Sequence, residues 1–307
     1  MRKTIHILIA LILFFTILAG LLYYDAVIVA PSRFGVNYKT VSSDTIPEQL
    51  DGINILFFSD VYYGEYMDEN RFQKAINLIN DASVDVVVFL GDLISDSVVL
   101  SEEENNSLQQ LLQSINAPLG KFAVLGDTDL SSTTSKSTTE TILTSSGFEM
   151  ITNEVILLRN RGSQSISLIG LDSLLIGDYS TDVFSQLSPN SFAILAVHEP
   201  DMINQISTDR VNVQVSGHSL GGQVYFPIFS EFNSIEGATR YYRGSHTVDK
   251  TKLFITNGLG TTDKDIRFLA NPEVLILTLN STSSPAATPT TTSLPEEEST
   301  PTVEAGE

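Results

Sequence analysis

The hydrophobic pattern of the chain begins with an uncharged apolar run over residues 5–24, directly after Arg2 and Lys3. As an α-helix, this run would extend about 30 Å, which is enough to cross the hydrocarbon core of a bilayer. Because the two bases precede it, we expect a single-pass anchor in the cell membrane, with a cytoplasmic N-terminus and the rest of the chain outside. A cleaved signal peptide is the rival interpretation, although no small-x-small cleavage pattern follows closely.

Through the middle of the chain, short apolar runs alternate with amphipathic stretches. The runs predict eight strands, over residues 53–58, 84–90, 122–125, 166–171, 192–197, 211–215, 253–256 and 274–279. Residues 71–81 place their apolar side chains on one helical face, and Ser101 followed by three glutamates is typical of a helix start. These elements predict an α/β fold with covered sheets, either a two-sheet sandwich flanked by helices or one open sheet.

Composition divides the chain into an anchor over residues 1–24, a domain over 25–280 and a Ser/Thr/Pro/Glu-rich tail over 281–307. The tail has too little apolar surface to offset its ordering entropy, so we expect it to be disordered. The whole chain carries a net charge of −20, to which the tail contributes −5 and the first 24 residues +2, leaving −17 for the domain. Such an acidic domain repels nucleic acid, which we therefore do not expect as a partner. The absence of cysteine excludes disulfides and thiolate chemistry.

Carboxylate and imidazole side chains follow five of the predicted strands at the point where each strand ends. They are Asp60, Asp92 with Asp96, Asp127 with Asp129, His198 and His218. Any one of them alone is explained by a turn. Functional groups of α/β folds collect beyond the carboxyl ends of strands, so the five positions together predict a site. Carboxylate and imidazole ligands suit a divalent transition metal such as Mn, Fe or Zn.

The same blocks carry a family resemblance. In order, the chain has D-V-Y from Asp60, G-D-L-I-S-D from Gly91, G-D-T-D from Gly126, His198, and G-H-S-L from Gly217. This series resembles the D-x-H, G-D-x-x-D, G-N-H-[DE], His and G-H-x-H blocks of the calcineurin-like metallophosphoesterases, and more narrowly of their membrane-anchored bacterial branch. The resemblance covers about residues 54–279. It implies a four-layer α/β/β/α sandwich with phosphoester-cleaving chemistry at a metal centre.

The resemblance also implies which residues would hold metal. In the family, one ion is held at the positions of Asp60, Tyr62, Asp92 and Leu220, and the other at those of Asp92, Asp127, His198 and His218. Tyr62 and Leu220 replace two histidines of the first set, so that site is degenerate and a second metal is not expected. The other set keeps an oxygen or nitrogen ligand at every position, with Asp127 in place of the family's asparagine. We therefore expect at most one divalent metal.

The catalytic positions are altered as well. Thr128 stands where the family has a histidine that acts near the leaving group, and threonine does not titrate near neutral pH. No residue is therefore assigned a catalytic role, although His246 could stand in for the missing imidazole. Asp96, Asp129 and Asn257 lie beside or beyond the ligand blocks and could orient the ligands, or simply form turns.

These departures predict a protein that hydrolyses phosphoesters weakly or not at all and binds a phosphorylated small molecule or an envelope protein. The alternative is an active hydrolase that uses a single metal, with Asp60 or Asp127 as base. A structural ectodomain that binds no metal is a third interpretation.

Overall fold

The protein is described by a computed structural model that covers residues 2–206, 209–227 and 235–282. Helix α1 (Arg2–Tyr24) is followed without a break by a π-helical turn (Asp25–Val29) and a 3₁₀ turn (Ala30–Ser32). This helix is long and apolar enough to cross a membrane, and none of its apolar span is buried. Residues 283–307, and with them almost all of the tail predicted to be disordered, lie outside the described residues.

The described chain forms two six-stranded sheets. The strands are β1 (Gly35–Ser43), β2 (Asn54–Phe58), β3 (Val86–Phe89), β4 (Lys121–Ala123), β5 (Glu149–Met150), β6 (Glu154–Leu158), β7 (Ile166–Gly170), β8 (Ala193–Ala196), β9 (Val213–Ser216), β10 (Gly244–Val248), β11 (Thr251–Ile255) and β12 (Glu273–Ser281). The first sheet has the order β1-β12-β2-β3-β4-β5 and the second β10-β11-β9-β8-β7-β6. The two-sheet prediction is confirmed, and the open-sheet alternative is wrong.

Three helices cover the outer face of the first sheet: α2 (Glu69–Asp81), α3 (Glu102–Gln113) and α4 (Thr133–Ser145). The helix predicted over residues 71–81 is present and begins two residues earlier, and the helix start predicted at Ser101 is confirmed. Asp68 caps α2 by accepting a hydrogen bond from the Arg71 amide, and Ser101 caps α3 in a capping box with Glu104. The outer face of the second sheet is covered more thinly, by the 3₁₀ turns Thr181–Gln186 and Pro200–Asn204.

A large apolar core lies between the two sheets. It is built from inward-facing residues of both, among them Phe57, Val88 and Leu275 from the first and Ile194 and Val215 from the second. All of these side chains are fully buried. Burying both faces of the central strands explains why they are apolar at nearly every position instead of alternating with polar residues.

The parallel strands in the centre of each sheet end at the same edge of the sandwich. In the first sheet β2, β3 and β4 are parallel neighbours, and in the second β8 and β9 are. The loops that follow these five strands carry the carboxylate and imidazole residues predicted from the strand ends. The fold therefore brings residues that are more than 150 positions apart in sequence into adjacent loops, as the 3.1 Å hydrogen bond from the His218 amide to Asp60 Oδ2 shows.

Candidate metal centre

The loops at this edge have an unusual backbone conformation. Five non-glycine residues take the left-handed conformation, with φ of 52° at Asp60, 50° at Tyr62, 63° at Asp92, 70° at His218 and 52° at Leu220. Such conformations cost free energy and persist only where the surrounding structure imposes them. Their concentration here indicates that the loops are shaped to direct side chains and not merely to connect strands.

The loops also approach each other very closely. A Cβ atom added to Gly126 would lie 2.1 Å from Asp92 Oδ1, and one added to Gly91 would lie 2.3 Å from the Gly126 amide nitrogen. Only glycine fits at these two positions, because any side chain would overlap a neighbouring loop. The two glycines thus allow the ends of β3 and β4 to meet at the site.

His198 is fully buried and has a fixed orientation. Its Nδ1 lies 2.7 Å from the carbonyl oxygen of Leu90, to which it donates. This bond directs Nε2 at two carboxylates, and it lies 3.2 Å from Asp92 Oδ2 and 3.2 Å from Asp127 Oδ1. A histidine whose other nitrogen donates to a carbonyl has the arrangement usual for a metal ligand.

His218 has the same arrangement with its nitrogens exchanged. Its Nε2 lies 2.7 Å from the carbonyl oxygen of Glu236, and its Nδ1 lies 3.1 Å from Asp127 Oδ1. The two imidazole rings meet edge to face with centroids 5.0 Å apart. Both rings therefore direct their second nitrogen at the same carboxylate oxygen of Asp127.

Three atoms at this point are buried and have no hydrogen-bond partner among the described residues: Asp127 Oδ1, His198 Nε2 and His218 Nδ1. Together with Asp92 they offer four ligand atoms that all lie within 4.8 Å of one another. Buried polar atoms without a hydrogen-bond partner are costly, and a cation between these atoms would satisfy them together. The residues present thus fit a divalent metal.

The electrostatics of the cluster point the same way. Burial opposes charge on every group, but in each case the neighbours outweigh it. The carboxylates of Asp92 and Asp127 raise the pKa of His198 well above its ordinary value, and the histidines lower the pKa of both carboxyls. The two carboxylates therefore keep their negative charge and attract a positive charge to this point.

Asp92 is held by contacts to its backbone and side chain. Its Oδ1 accepts from the Thr128 amide at 3.0 Å. The neighbouring carboxylate of Asp129 accepts from the amides of Asp92 (2.7 Å), Leu93 (3.0 Å) and Gly126 (3.0 Å). Burial, with a contribution from nearby Asp92, raises the pKa of Asp129 to about 6. Asp129 thus orients the Asp92 loop through main-chain contacts.

The neighbouring position, at Asp60, Tyr62 and Leu220, is organised differently. The Tyr62 hydroxyl donates to Asp92 Oδ2 at 2.7 Å and lies 3.5 Å from Asp60 Oδ1. Burial and the two carboxylates raise the pKa of Tyr62 well above its ordinary value, so the phenol keeps its proton. Asp60 Oδ2 accepts from the Ser59 hydroxyl and the His218 amide. Leu220 is buried and offers no side-chain ligand atom.

The remaining candidates lie at the margins of the site. Asp96 is exposed and lines a cleft of about 340 Å³ that also reaches Thr128. Asn257 packs against Gly221 and donates to the Asn271 carbonyl (3.1 Å). His246 lies 2.8 Å from the Arg243 carbonyl and packs on Tyr241.

Sequence reasoning missed the groups that orient the ligands through the main chain. The carbonyls of Leu90 and Glu236 fix the two imidazole rings, and the Ser59 hydroxyl fixes Asp60. A carbonyl is present at every residue, so no residue type reveals these two. Only Ser59, directly before Asp60, carried a side-chain signal.

The sequence model of the family described as calcineurin-like phosphoesterase matches residues 53–221, which is more than half of the chain. The chain belongs to the calcineurin-like phosphoesterase family. The resemblance seen in the sequence motifs is therefore confirmed, and with it the two-sheet fold.

Several relatives carry the family name. The uncharacterised metallophosphoesterase YkuE of Bacillus subtilis is 32% identical over 82% of this chain and 87% of its own length. The UDP-2,3-diacylglucosamine pyrophosphatase LpxG of Chlamydia muridarum is 25% identical over 74% of this chain and 84% of its own. A transmembrane protein with metallophosphoesterase domain from Danio rerio is 24% identical over 77% of this chain and 55% of its own.

Proposed function

We propose that this calcineurin-like phosphoesterase is a membrane-tethered, outward-facing protein that holds one divalent metal and binds a phosphorylated ligand with weak or no hydrolysis. The metal ligands are Asp92, Asp127, His198 and His218. The observation that carries the proposal is the convergence of three buried, unpartnered ligand atoms on one point beside Asp92. Mn, Fe and Zn suit this mixture of carboxylate and imidazole.

A single ion is proposed because the neighbouring position supplies its own hydrogen bonds. Tyr62 donates a hydrogen bond to the Asp92 oxygen that a bridging carboxylate would offer to a second ion. Leu220 has no lone pair, and Asp60 Oδ2 accepts from the Ser59 hydroxyl and the His218 amide. A second cation would have to displace these donors without gaining a nitrogen ligand.

Weak hydrolysis follows from the chemistry that is missing. When bound, the metal supplies positive charge that stabilises phosphoryl oxygens, and a paired ion would contribute several kcal/mol more, or orders of magnitude in rate. Thr128 stands where a proton donor to the leaving group would be needed and does not titrate near neutral pH. The remaining residues are therefore suited to binding a phosphoryl group and not to cleaving its ester bond rapidly.

A single-metal hydrolase is the second candidate, and one observation favours it. Burial raises the pKa of Asp60, although the two site histidines partly oppose that shift, and the change moves the carboxyl toward the range of a general base. Asp127 is the other candidate base, but its pKa is lowered by the histidines. Turnover at a rate that depends on Asp60 would identify this activity.

The location and ligand class are argued from α1 and from a relative. Arg2 and Lys3 before an apolar span favour a cytoplasmic N-terminus and an extracytoplasmic domain. LpxG is named for a diphosphate sugar that carries two acyl groups. A phosphorylated, lipid-linked molecule of the cell envelope is therefore the favoured ligand, with an envelope protein as the other partner class and no role for nucleic acid.

Metal binding tests the proposal directly. We expect the full chain in detergent to bind one Mn²⁺ per chain in calorimetric titration, and His198→Ala to weaken binding by at least about 100-fold, because a ligand is lost outright. His246→Ala is the matched control, since His246 contacts Arg243 and Tyr241 instead of the cluster. Equal affinity in the wild type and His198→Ala would contradict the proposed site.

A further inference from the structure

The anchor helix enters the domain without a flexible linker. The helical run is continuous from Arg2 to Ser32. Its last turns are held by two contacts: the Arg267 amide donates to the Ala26 carbonyl at 2.9 Å, and the Arg71 guanidinium donates to the Pro31 carbonyl. Ala26 and Pro31 are buried against the domain. Hydrogen bonds and packing therefore fix the direction of α1 relative to the domain.

This attachment sets the height of one loop above the membrane. If residues 5–24 cross the hydrocarbon core, Ala26 lies two residues beyond it, or about 3 Å along the helix axis. The headgroup layer on each side of that core is about 5–7 Å thick. Because the Arg267 amide bonds the Ala26 carbonyl, Arg267 and the following residues lie at the level of the headgroups.

Exposed apolar side chains gather at this level. Ile28 is 60% exposed, Leu269 57%, Phe226 48% and Val29 38%. The Phe226 ring packs on Phe268, next to Leu269, with centroids 5.0 Å apart. We call the four exposed residues, Ile28, Val29, Phe226 and Leu269, the anchor-base patch. In water, the exposed apolar surface of these side chains contributes nothing to the stability of the domain.

The conformation and neighbours of Leu269 add to this picture. Leu269 has a φ of 51°, a left-handed conformation that costs a leucine about 1–2 kcal/mol. Its carbonyl accepts from Arg243 Nη2 at 3.3 Å, and the same guanidinium lies 3.7 Å from the centroid of the Tyr225 ring. Arginine and aromatic rings beside apolar side chains are typical of a membrane–water interface.

We propose that the domain rests on the bilayer through the anchor-base patch, with Leu269 and Phe226 inserted at the level of the headgroups. The occupant of the patch is the lipid surface that α1 enters, and the rigid connection between α1 and the domain holds the two together. This proposal depends on the membrane anchor of the proposed function and goes beyond it by specifying which face of the domain meets lipid.

The placement bears on how a ligand reaches the metal centre. The loop after His218 runs directly to the patch: the Leu220 carbonyl accepts from Arg267 Nη1 at 2.7 Å, and the Tyr225 amide donates to the Phe268 carbonyl at 2.8 Å. One short loop thus connects a metal ligand to the membrane-facing surface. A phosphorylated headgroup is the class of ligand that this arrangement presents to the site.

The absence of tryptophan from the chain makes the test direct. We would reconstitute the full chain in phosphatidylcholine–phosphatidylglycerol vesicles, with and without lipids brominated near the headgroup, and compare single-tryptophan variants. Leu269→Trp should lose fluorescence to the brominated lipid to the same extent as Ile28→Trp. Leu157→Trp is the matched control, because Leu157 is 47% exposed on β6, at the far edge of the second sheet, and should keep its fluorescence.

The outcomes separate this proposal from the anchor on which it depends. Quenching of Ile28→Trp without quenching of Leu269→Trp overturns the docked orientation and leaves the anchor intact. Absence of quenching at Ile28 overturns the anchor itself. A blue shift of Leu269→Trp that depends on protein concentration and not on brominated lipid identifies a second copy of the chain as the occupant, which also overturns the proposal. Phe226→Trp provides a second reporter of the same surface if Leu269→Trp does not fold.

Discussion

At the scale of single residues, the carboxylate of Asp129 holds the loop that presents Asp92. One oxygen accepts from the amides of Asp92 and Gly126, and the other accepts from the Leu93 amide and the Thr139 hydroxyl. Four donors on one buried carboxylate saturate it. We therefore expect the candidate metal centre to depend on this residue, although Asp129 contributes no ligand atom to the cluster.

Replacing Asp129 should therefore affect both stability and metal binding. Asn in its place keeps one acceptor oxygen and puts an NH₂ group against main-chain donors, so we expect Asp129→Asn to lower the free energy of unfolding by about 2 kcal/mol. We also expect about 10- to 100-fold weaker Mn²⁺ binding, since Asp92 loses its orientation. Asp96→Asn is the control, because Asp96 is exposed, and it should change neither the denaturation midpoint nor the titration. Equal effects of the two substitutions would contradict the role assigned to Asp129.

We expect Tyr62 and Leu220 to limit the number of ions that the candidate site holds. Tyr62→His with Leu220→His restores two imidazoles and removes the phenol that bonds Asp92, so we expect the number of Mn²⁺ ions per chain to rise from one to two. Tyr62→Phe alone removes the hydroxyl without adding a ligand and should stay at one. Adding Thr128→His to the double variant should raise phosphodiester hydrolysis by orders of magnitude, because a proton donor and the charge of a second ion return together.

A second ion in the unmodified chain, measured by metal analysis after gel filtration, would contradict this account. So would a double variant that still binds one ion while folding normally. In that case the obstacle would lie in the loop backbone, where Tyr62 and Leu220 both have positive φ, and not in their side chains.

Residue-level prediction from the sequence reached the four side chains that the fold brings together at the candidate metal centre, but not the groups that orient them. Asp92, Asp127, His198 and His218 stood out because each follows an apolar strand and belongs to a motif. Their partners Leu90 and Glu236 act through main-chain carbonyls, which have no sequence signature. The bond between Tyr62 and Asp92 depends on a left-handed turn that the sequence does not mark with glycine.

At the scale of elements, the apolar pattern predicted the buried parts of both sheets and missed their edges. All eight predicted strands are present, and the four that were not predicted are β1, β5, β6 and β10. β1 alternates between partly buried and exposed residues in an edge position, and β5 has only two residues. Helix α4 was missed because it is rich in serine and threonine and buries only Thr139, Ile142 and Leu143. A strand is predictable from the apolar pattern when both of its faces are buried, because only then is it apolar at nearly every position.

The capping box of α3 is a local feature with a testable pH dependence. Glu104 accepts from the backbone and side chain of Ser101, and these bonds lower the pKa of Glu104. Because the folded pKa lies below the unfolded one, this contribution to stability is present at neutral pH and is lost as pH falls through the folded pKa. Thermal unfolding of the wild type and Glu104→Gln should therefore differ at pH 7 and converge in acid.

Glu103→Gln is the control for this measurement. It removes the same charge from the same helical turn but leaves the bonds between Ser101 and Glu104 in place. Its melting temperature relative to the wild type should change with pH less than that of Glu104→Gln. A Glu104→Gln difference that persists unchanged below the ordinary glutamate pKa of 4.5 would show that the bond does not depend on the charge of Glu104.

At the scale of the whole molecule, the negative charge and the proposed anchor together define the environment that we expect for the domain. The domain residues 25–280 carry −17 of the chain's net charge of −20. A cation held at the metal centre would be a local exception in this negative field, and it would concentrate a phosphorylated ligand at one point of an otherwise repulsive surface. The same field keeps polyanions away from the rest of the domain.

The orientation of the chain in the membrane is the prediction on which this environment depends. The chain has no cysteine, so single-cysteine variants report position without background. Val99 is 97% exposed on the domain, and Thr4 precedes the apolar span. Val99→Cys and Thr4→Cys therefore mark the two sides of the membrane, and both variants keep Arg2 and Lys3. In intact bacterial cells, a membrane-impermeant maleimide should label Val99→Cys at once and Thr4→Cys only after permeabilisation, because Arg2 and Lys3 favour a cytoplasmic N-terminus. The reverse pattern would place the metal centre in the cytoplasm.

A mature protein that lacks Thr4 and leaves the membrane fraction would instead show that the apolar run is a cleaved signal peptide. The domain would then reach its ligand without an anchor.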